Sequence, residues 1–368
     1  MKYQDNPWNP EIEYLRGIAI LFIIAIHSFG YCYRMNFHNF LFYFNTALDV
    51  FSHIGVPIFV FVSGFVLAIK YHDDLSLKDF YKKRIPKIVI PYVTFSIFYL
   101  LGYQFLLRSQ LLQNQRELSQ LTLNEVFFRL ISGTAHYHLW FIILILTLYI
   151  LYPLIIKIYG FFSKSHKEHV LLIIFFSIQS MMCILNHYYP TTDLFFLVFL
   201  SYIFYFVLGI FLSYHYSEFK EFILHLEKKS LSLLLFINLG FTIILTFIFV
   251  QNYTINFENH YLDISLVYPL YFLINLLLLF SLICSLEHSA ITPLKEFLMS
   301  VSKYSFGIFL IHPFFIEAVY YLVMPRIAIT VDNWIFYPIL FISALIFSVL
   351  ALKILKKIPH ASIFIGMK

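Results

Sequence analysis

Ten apolar stretches, each close to 20 residues long, recur along this chain and decide what it can fold into. They run over 14–34, 46–69, 86–107, 138–158, 169–187, 193–214, 231–250, 262–286, 304–324 and 334–355. A helix needs about 20 apolar residues to cross a hydrocarbon layer about 30 Å thick. Composition agrees: 61% of residues are hydrophobic and 12% charged, and the mean hydropathy is +0.81. Soluble domains sit nearer half apolar and a quarter charged. A soluble chain of 368 residues would suggest two or three domains, but no long polar stretch separates Tyr14 from Leu355. The sequence therefore predicts an all-α integral membrane protein of about ten transmembrane helices, a single domain over 1–368. Cys32, Cys183 and Cys284 have no CxxC or Cys/His spacing, which excludes a disulfide framework and argues against a structural zinc. The first stretch lacks a basic n-region and a small-residue cleavage site, so it reads as a retained span.

An even number of spans puts both termini on one side. With the N-terminus inside, 20 of the 25 Lys and Arg residues fall in inner segments, and only Arg34, Arg108, Arg116, Arg129 and Arg326 fall outside. That asymmetry is the positive-inside signature and predicts cytoplasmic termini. Within the long outer loop, 108–137, Thr122-Leu-Asn-Glu125 has capping-box spacing and the run that follows stops at Gly133. The loop should hold a short amphipathic helix on the outer surface.

The ionisable residues inside the apolar stretches are the candidates for chemistry. Arg16 and His27 lie eleven residues apart on the first span, within roughly 20° of one helical face and about 16 Å apart along it. An imidazole in an apolar helix is costly and marks a functional candidate; its plainer use is to hydrogen-bond a neighbouring helix. Arg16 at the inner end has the plainer reading of a snorkelling anchor. The second span carries Asp49 near its outer end, where water would reach it, then His53 and Val56-Pro-Ile-Phe-Val-Phe-Val-Ser63-Gly64-Phe65. Pro57 can kink that helix, and Ser63-Gly64 permits close backbone approach. The run Tyr81-Lys82-Lys83-Arg84-Ile-Pro-Lys87 is the densest basic cluster. It suits anionic lipid headgroups and equally the phosphates of a nucleotide-bearing carrier. His136-Tyr-His138-Leu-Trp140-Phe141 sits at the outer mouth of the fourth span; at i, i+2 its histidines point to different helical faces, which argues against a metal pair. The ninth span holds His312 and Glu317, placed either to orient a substrate or to pair with each other. GxxxxGK[ST] and GxGxxG motifs are absent, so ATP-driven chemistry and dinucleotide binding by those devices have no support; nothing suggests a nucleic-acid partner.

Taken in order, these motifs resemble the acyltransferase-3 family of multi-pass membrane O-acyltransferases, in its single-domain form that includes an exopolysaccharide-modifying branch. The resemblance rests on Glu13-Tyr-Leu-Arg16-Gly with His27, Val56-Pro-Ile-Phe with Ser63-Gly-Phe, Lys82-Lys-Arg with Lys87 and Pro91-Tyr92, His138-Leu-Trp-Phe141 with Tyr152-Pro153, and Ser305-Phe-Gly-Ile-Phe-Leu-Ile-His312. It covers residues 13 to about 313. Glu13 stands where the family often has Asp, and lysines stand where it often has Arg, giving point charges in place of forks. The resemblance implies a ten-helix core that takes an acyl group from cytosolic acyl-coenzyme A and passes it to an outer hydroxyl. It makes Arg16 and His27 the key catalytic pair and places Lys82, Lys83, Arg84 and Lys87 near the coenzyme A phosphates, with Glu13, Ser63, His138, Trp140, His312 and Glu317 supporting or binding substrate. Histidine suits a base for thioester-to-hydroxyl transfer because its pKa lies near neutrality; a covalent acyl-histidine is the other route.

The expected activity is transfer of acetyl, or a similar short acyl group, from acetyl-CoA to a glycan or lipid-linked glycan, in the cell membrane and with no metal. Two alternatives remain open: O-succinylation of poly-N-acetylglucosamine, and export or flipping of glycan intermediates. Beyond membrane lipids and the glycan acceptor, neither partners nor oligomeric state can be read from the chain.

Overall fold

The computed structural model describes residues 9–35, 39–71, 76–108, 122–188, 195–255 and 263–366. The basic residues Lys2, Arg116 and Lys368 and the Cys183 side chain lie outside what is described. Among the described residues every regular element is helical. Helix α1 (Pro10–Phe29) runs into a 3₁₀ turn, Gly30–Arg34. Helices α2 (Phe40–Ser52) and α3 (Gly55–Lys70) follow, then α4 (Leu77–Arg108), α5 (Leu123–Ser132), α6 (Trp140–Ser163) and α7 (Glu168–Tyr188). A 3₁₀ segment, Phe195–Ser201, precedes α8 (Ile203–Tyr214) and α9 (Tyr216–Leu224). The chain ends with α10 (Lys228–Ile255), α11 (Asp263–His288), α12 (Thr292–Ala318), α13 (Phe336–Leu355) and the single turn α14 (Ala361–Phe364).

Among the described residues, eight helical stretches are long and apolar enough to cross a membrane, where the sequence alone counts ten. The other two expected segments contain the shorter apolar helices Glu168–Met182 and Ile203–Tyr214. The sixth segment is shortened because its first part is wound as the 3₁₀ turn. The second is one span made of two helices, α2 and α3, broken at His53 and Ile54. Pro57 therefore does not kink a continuous helix; it stands in the first turn of α3, where its missing N–H loses no intrahelical bond.

Helix α1 occupies the middle of the bundle, packed by α2, α3, α11, α12 and α13. Its inward positions Leu15, Ala19, Ile20 and Ile24 are fully buried. Helices α3 and α8 meet backbone to backbone: a Cβ at Gly64 would collide with the Phe206 carbonyl, and one at Gly209 with that of Phe61. Small residues that admit such contact hold membrane helices together where lipid removes the hydrophobic drive. At the periphery, α10 presents Leu233, Phe236, Leu239, Ile243, Ile244 and Phe247 outward, a surface suited to lipid. The short helix predicted within 108–137 is α5. Thr122 accepts the Glu125 amide at 3.2 Å, Gly133 ends the helix at φ 75°, and Arg129 pairs with Glu125.

Candidate active site

Three elements converge on His27. Its ring stacks on that of His312 from α12, with centroids 5.2 Å apart and planes at 26°, and meets the edge of Tyr137 at 4.9 Å. The His138 ring lies 5.7 Å from that of His312. Tyr99 of α4 closes the far side, stacked on His136 at 4.1 Å, and anchors there by donating its hydroxyl to the Leu310 carbonyl at 2.9 Å. His136, His138 and His312 are 3%, 1% and 0% exposed, respectively. His27 is only partly buried and Tyr137 is 44% exposed, so the cluster opens on that side.

The expected separation of His136 and His138 onto different faces is corrected here. That reading assumed a helix, but Gly133 ends α5 and the chain turns through 133–139 before α6 begins. The turn points both rings inward, Nδ1 to Nδ1 at 2.9 Å. Pairing of His312 with Glu317 is also corrected. Five residues along a helix turn the side chain by roughly 140°, and Glu317 instead meets His136 Nε2 at 3.3 Å. His312 turns Nδ1 onto its own helix, toward the carbonyls of Ile308 (3.0 Å) and Phe309 (2.9 Å). Nδ1 must therefore carry the proton, which leaves Nε2 a bare acceptor.

About three turns toward the other end of α1, Arg16 Nη1 donates to both Glu13 oxygens at 3.0 Å. The Ser302 hydroxyl of α12 donates to the same carboxylate at 2.5 Å. One turn further, buried Glu11 pairs with Lys220 of α9, and this hydrogen bond pushes the Lys220 ammonium above its ordinary range. Arg16 keeps side-chain exposure of 26%, and only its Nη1 is engaged by the Glu13 carboxylate.

A family model described as an acyltransferase domain (Acyl_transf_3) matches residues 9–353 of the 368. The chain belongs to that family. No curated protein and no solved structure matches it. It is a multi-pass membrane acyltransferase, and the histidine cluster lies within the matched region together with the Arg16 pair.

The fold unites some sequence candidates and separates others. His27, His138, His312 and Glu317 share one site, while Arg16 and Glu13 form a second group on the same helix. Lys82, Lys83 and Lys87 are exposed on the first turns of α4; Arg84 donates to the Tyr71 hydroxyl at 3.0 Å and covers that ring. Among the described residues, no hydrogen bond or ion pair joins this run to Arg16. Ser63 lies beside the α3–α8 contact, and among the described residues no hydrogen bond or ring contact links it to the histidines. Trp140 packs on Tyr202 at 5.9 Å and against Gly133, bracing the turn that carries the histidines. Asp49 is not solvated as expected: it is 2% exposed because the turn after α1 folds over α2 and Tyr33 donates to it at 3.0 Å. The sequence reading missed His136, Tyr137 and Tyr99 as site residues. His136 and Tyr137 carried a signal, their neighbourhood to His138; Tyr99, one of 28 tyrosines, carried none.

Proposed function

We propose that the protein moves an acetyl, or similar short acyl, group from cytosolic acyl-CoA to a hydroxyl of an extracytoplasmic polysaccharide or lipid-linked glycan. In this reading the transmembrane domain lies in the cell membrane with cytoplasmic termini and carries the transfer. The observation that carries it is the arrangement along α1. A partly open imidazole lies within a nest of buried ones, and an arginine with spare donors lies about 16 Å away on the same helix. Arg16 and the exposed lysines of α4 supply charge for the carrier's phosphates, and His27 stands where the thioester and hydroxyl would meet.

The chemistry balances on one imidazole. His27 takes the proton of the acceptor hydroxyl while its oxygen attacks the thioester carbonyl carbon. The C–S bond then breaks, and the departing thiolate takes the proton from the imidazolium, giving ester and free thiol. The surrounding rings exclude water, which would otherwise compete as acceptor. Burial also strengthens each polar contact in the pocket relative to water.

Mass spectrometry of envelope glycans tests this directly. Cells lacking the protein should lose an acyl mass; the wild-type gene should restore it and His27→Ala should not. An unchanged set of glycan masses in cells lacking the protein would reject the function. Loss in the null with full restoration by His27→Ala would reject the role of His27. The lost mass also identifies acetyl or succinyl.

A further inference from the structure

From His27 a line of aromatic residues runs along α1 away from Arg16. Tyr31 and Arg34 follow His27 by four and seven residues, the spacing that stays on one helical face, about 6 and 10 Å further along the axis. The same line continues on α12: His27 meets His312, and further out Tyr31 meets Tyr320, with ring centroids 4.6 Å apart. Tyr320 belongs to Val319–Val323, where the helix loosens into a π turn, a form frequent at functional sites. The exposed Arg34 guanidinium lies over both rings, 4.8 Å from the centre of Tyr31 and 4.9 Å from that of Tyr320. Tyr137, from the turn before α6, completes the rim. Its ring meets that of His27 at 4.9 Å, yet 44% of the residue stays open. Tyrosine at a membrane surface ordinarily anchors the helix in the interface. Here Tyr137 instead meets the candidate base, and Arg34 lies over two rings.

Resting on the function proposed above, we infer that Tyr137 is the platform on which a pyranose ring of the acceptor lies, and that Tyr31 and Tyr320, held by Arg34, form the wall beside it at the end of α1 opposite Arg16. A pyranose has an apolar face of C–H groups and a rim of hydroxyls. Tyrosine matches both, because its ring is apolar and its tip polar, and it is rigid enough to lose little entropy on contact. A sugar face settled on Tyr137 brings its hydroxyl rim beside His27, where one hydroxyl gives up its proton. Arg34 is a positioning residue: its planar cation fixes the two wall rings through their π faces. Carrier, reacting imidazole and acceptor then follow one another along α1.

The test uses full-length protein in native membranes, with labelled acetyl-CoA and the endogenous acceptor, each rate normalised to inserted protein. Tyr137→Leu should raise the KM for acceptor about tenfold and leave the KM for acyl-CoA unchanged. Tyr137→Phe keeps the ring and should lie much nearer wild type. Arg34→Ala should raise the acceptor KM about threefold, the worth of an exposed cation–π contact, and Arg34→Lys should recover part of that loss. As competitors of the wild type, methyl β-D-glucopyranoside should inhibit at lower concentration than sorbitol, which offers hydroxyls but no ring face. The difference should shrink in Tyr137→Leu. Equal acceptor KM in Tyr137→Leu and Tyr137→Phe, equal or no inhibition by the two polyols, or a rise in donor KM in place of acceptor KM would overturn the inference and leave these residues as interfacial anchors. Wild-type membranes that transfer nothing would instead reject the function itself.

Discussion

The two polar groups on α1 lie about three turns apart and are built on opposite principles. Toward the N-terminus, the two described carboxylates of α1 each have a cationic partner: Glu13 holds Arg16 and accepts from Ser302, and Glu11 holds Lys220. Toward the C-terminus, rings stack on rings, and the buried His312 Nε2 has no hydrogen-bond partner among the described residues. A paired buried charge is self-sufficient, and breaking the pair leaves an uncompensated charge. An unpaired buried acceptor is stable only because the rest of the fold holds it, and it becomes satisfied when something else supplies a donor. Damage to the Glu11–Lys220 pair of the first group should therefore appear in folding, and damage to the second group in turnover.

The sharpest break of this contrast is His27→Ala. Loss of a positioned base lowers transfer by about 10²–10⁴-fold, while the melting temperature of the purified protein should stay near that of wild type because a partly open ring is removed. A large fall in melting temperature with proportionate loss of transfer would move His27 into the structural group. Arg16 tests the boundary from the other side. It is paired, yet it keeps free donors. Arg16→Gln should raise the KM for acyl-CoA about 10- to 100-fold, the worth of a charge-assisted contact, with a smaller effect on kcat. Lower stability with an unchanged donor KM would make Arg16 part of the scaffold alone.

Gly64 serves as a control that belongs to neither group. Gly64→Ala forces a methyl into the Phe206 backbone, and overpacking of this kind costs about 1–3 kcal/mol. It should appear as reduced thermal stability and lower abundance in the membrane, with donor KM unchanged in the protein that does insert.

Local chemistry was legible from the sequence; convergence was not. The bounds of helix α5 could be read because its cap, its first-turn carboxylate and its terminating glycine are neighbours in the chain. The Ser63-Gly64 close approach could be read because small residues have one main use between membrane helices. His27, His312 and Arg16 could be singled out because charge or imidazole in an apolar run is costly wherever it points. That Glu317 turns to His136 could not be read, because it depends on how α12 is rotated against a turn 181 residues earlier. Nor could the turn 133–139 be distinguished from an early start of α6 when the residues on both sides of it are apolar and aromatic. The short sixth segment escaped for a related reason: hydropathy measures how apolar a stretch is and is blind to whether it winds as α or 3₁₀.

The smallest expected effect belongs to the fully paired end. The Lys220 ammonium is raised above its ordinary value of 10.5 by the hydrogen bond to Glu11, so the folded protein holds this proton more tightly than the unfolded chain does. The stabilisation is fully present below pH 10.5 and is lost as pH rises through the folded value. Between those limits the wild-type melting temperature should fall more steeply than that of Lys220→Met, which has no proton to lose. Lys220 keeps a third of its side-chain surface open, so solvent screens the pair and the difference should be slight. At neutral pH, Lys220→Met should melt below wild type, because Glu11 remains buried without its cation, yet each folded molecule should transfer at the wild-type rate. A variant that melted normally but transferred slowly would dissolve the contrast between the two ends of α1, because the paired end would then be acting on turnover as well.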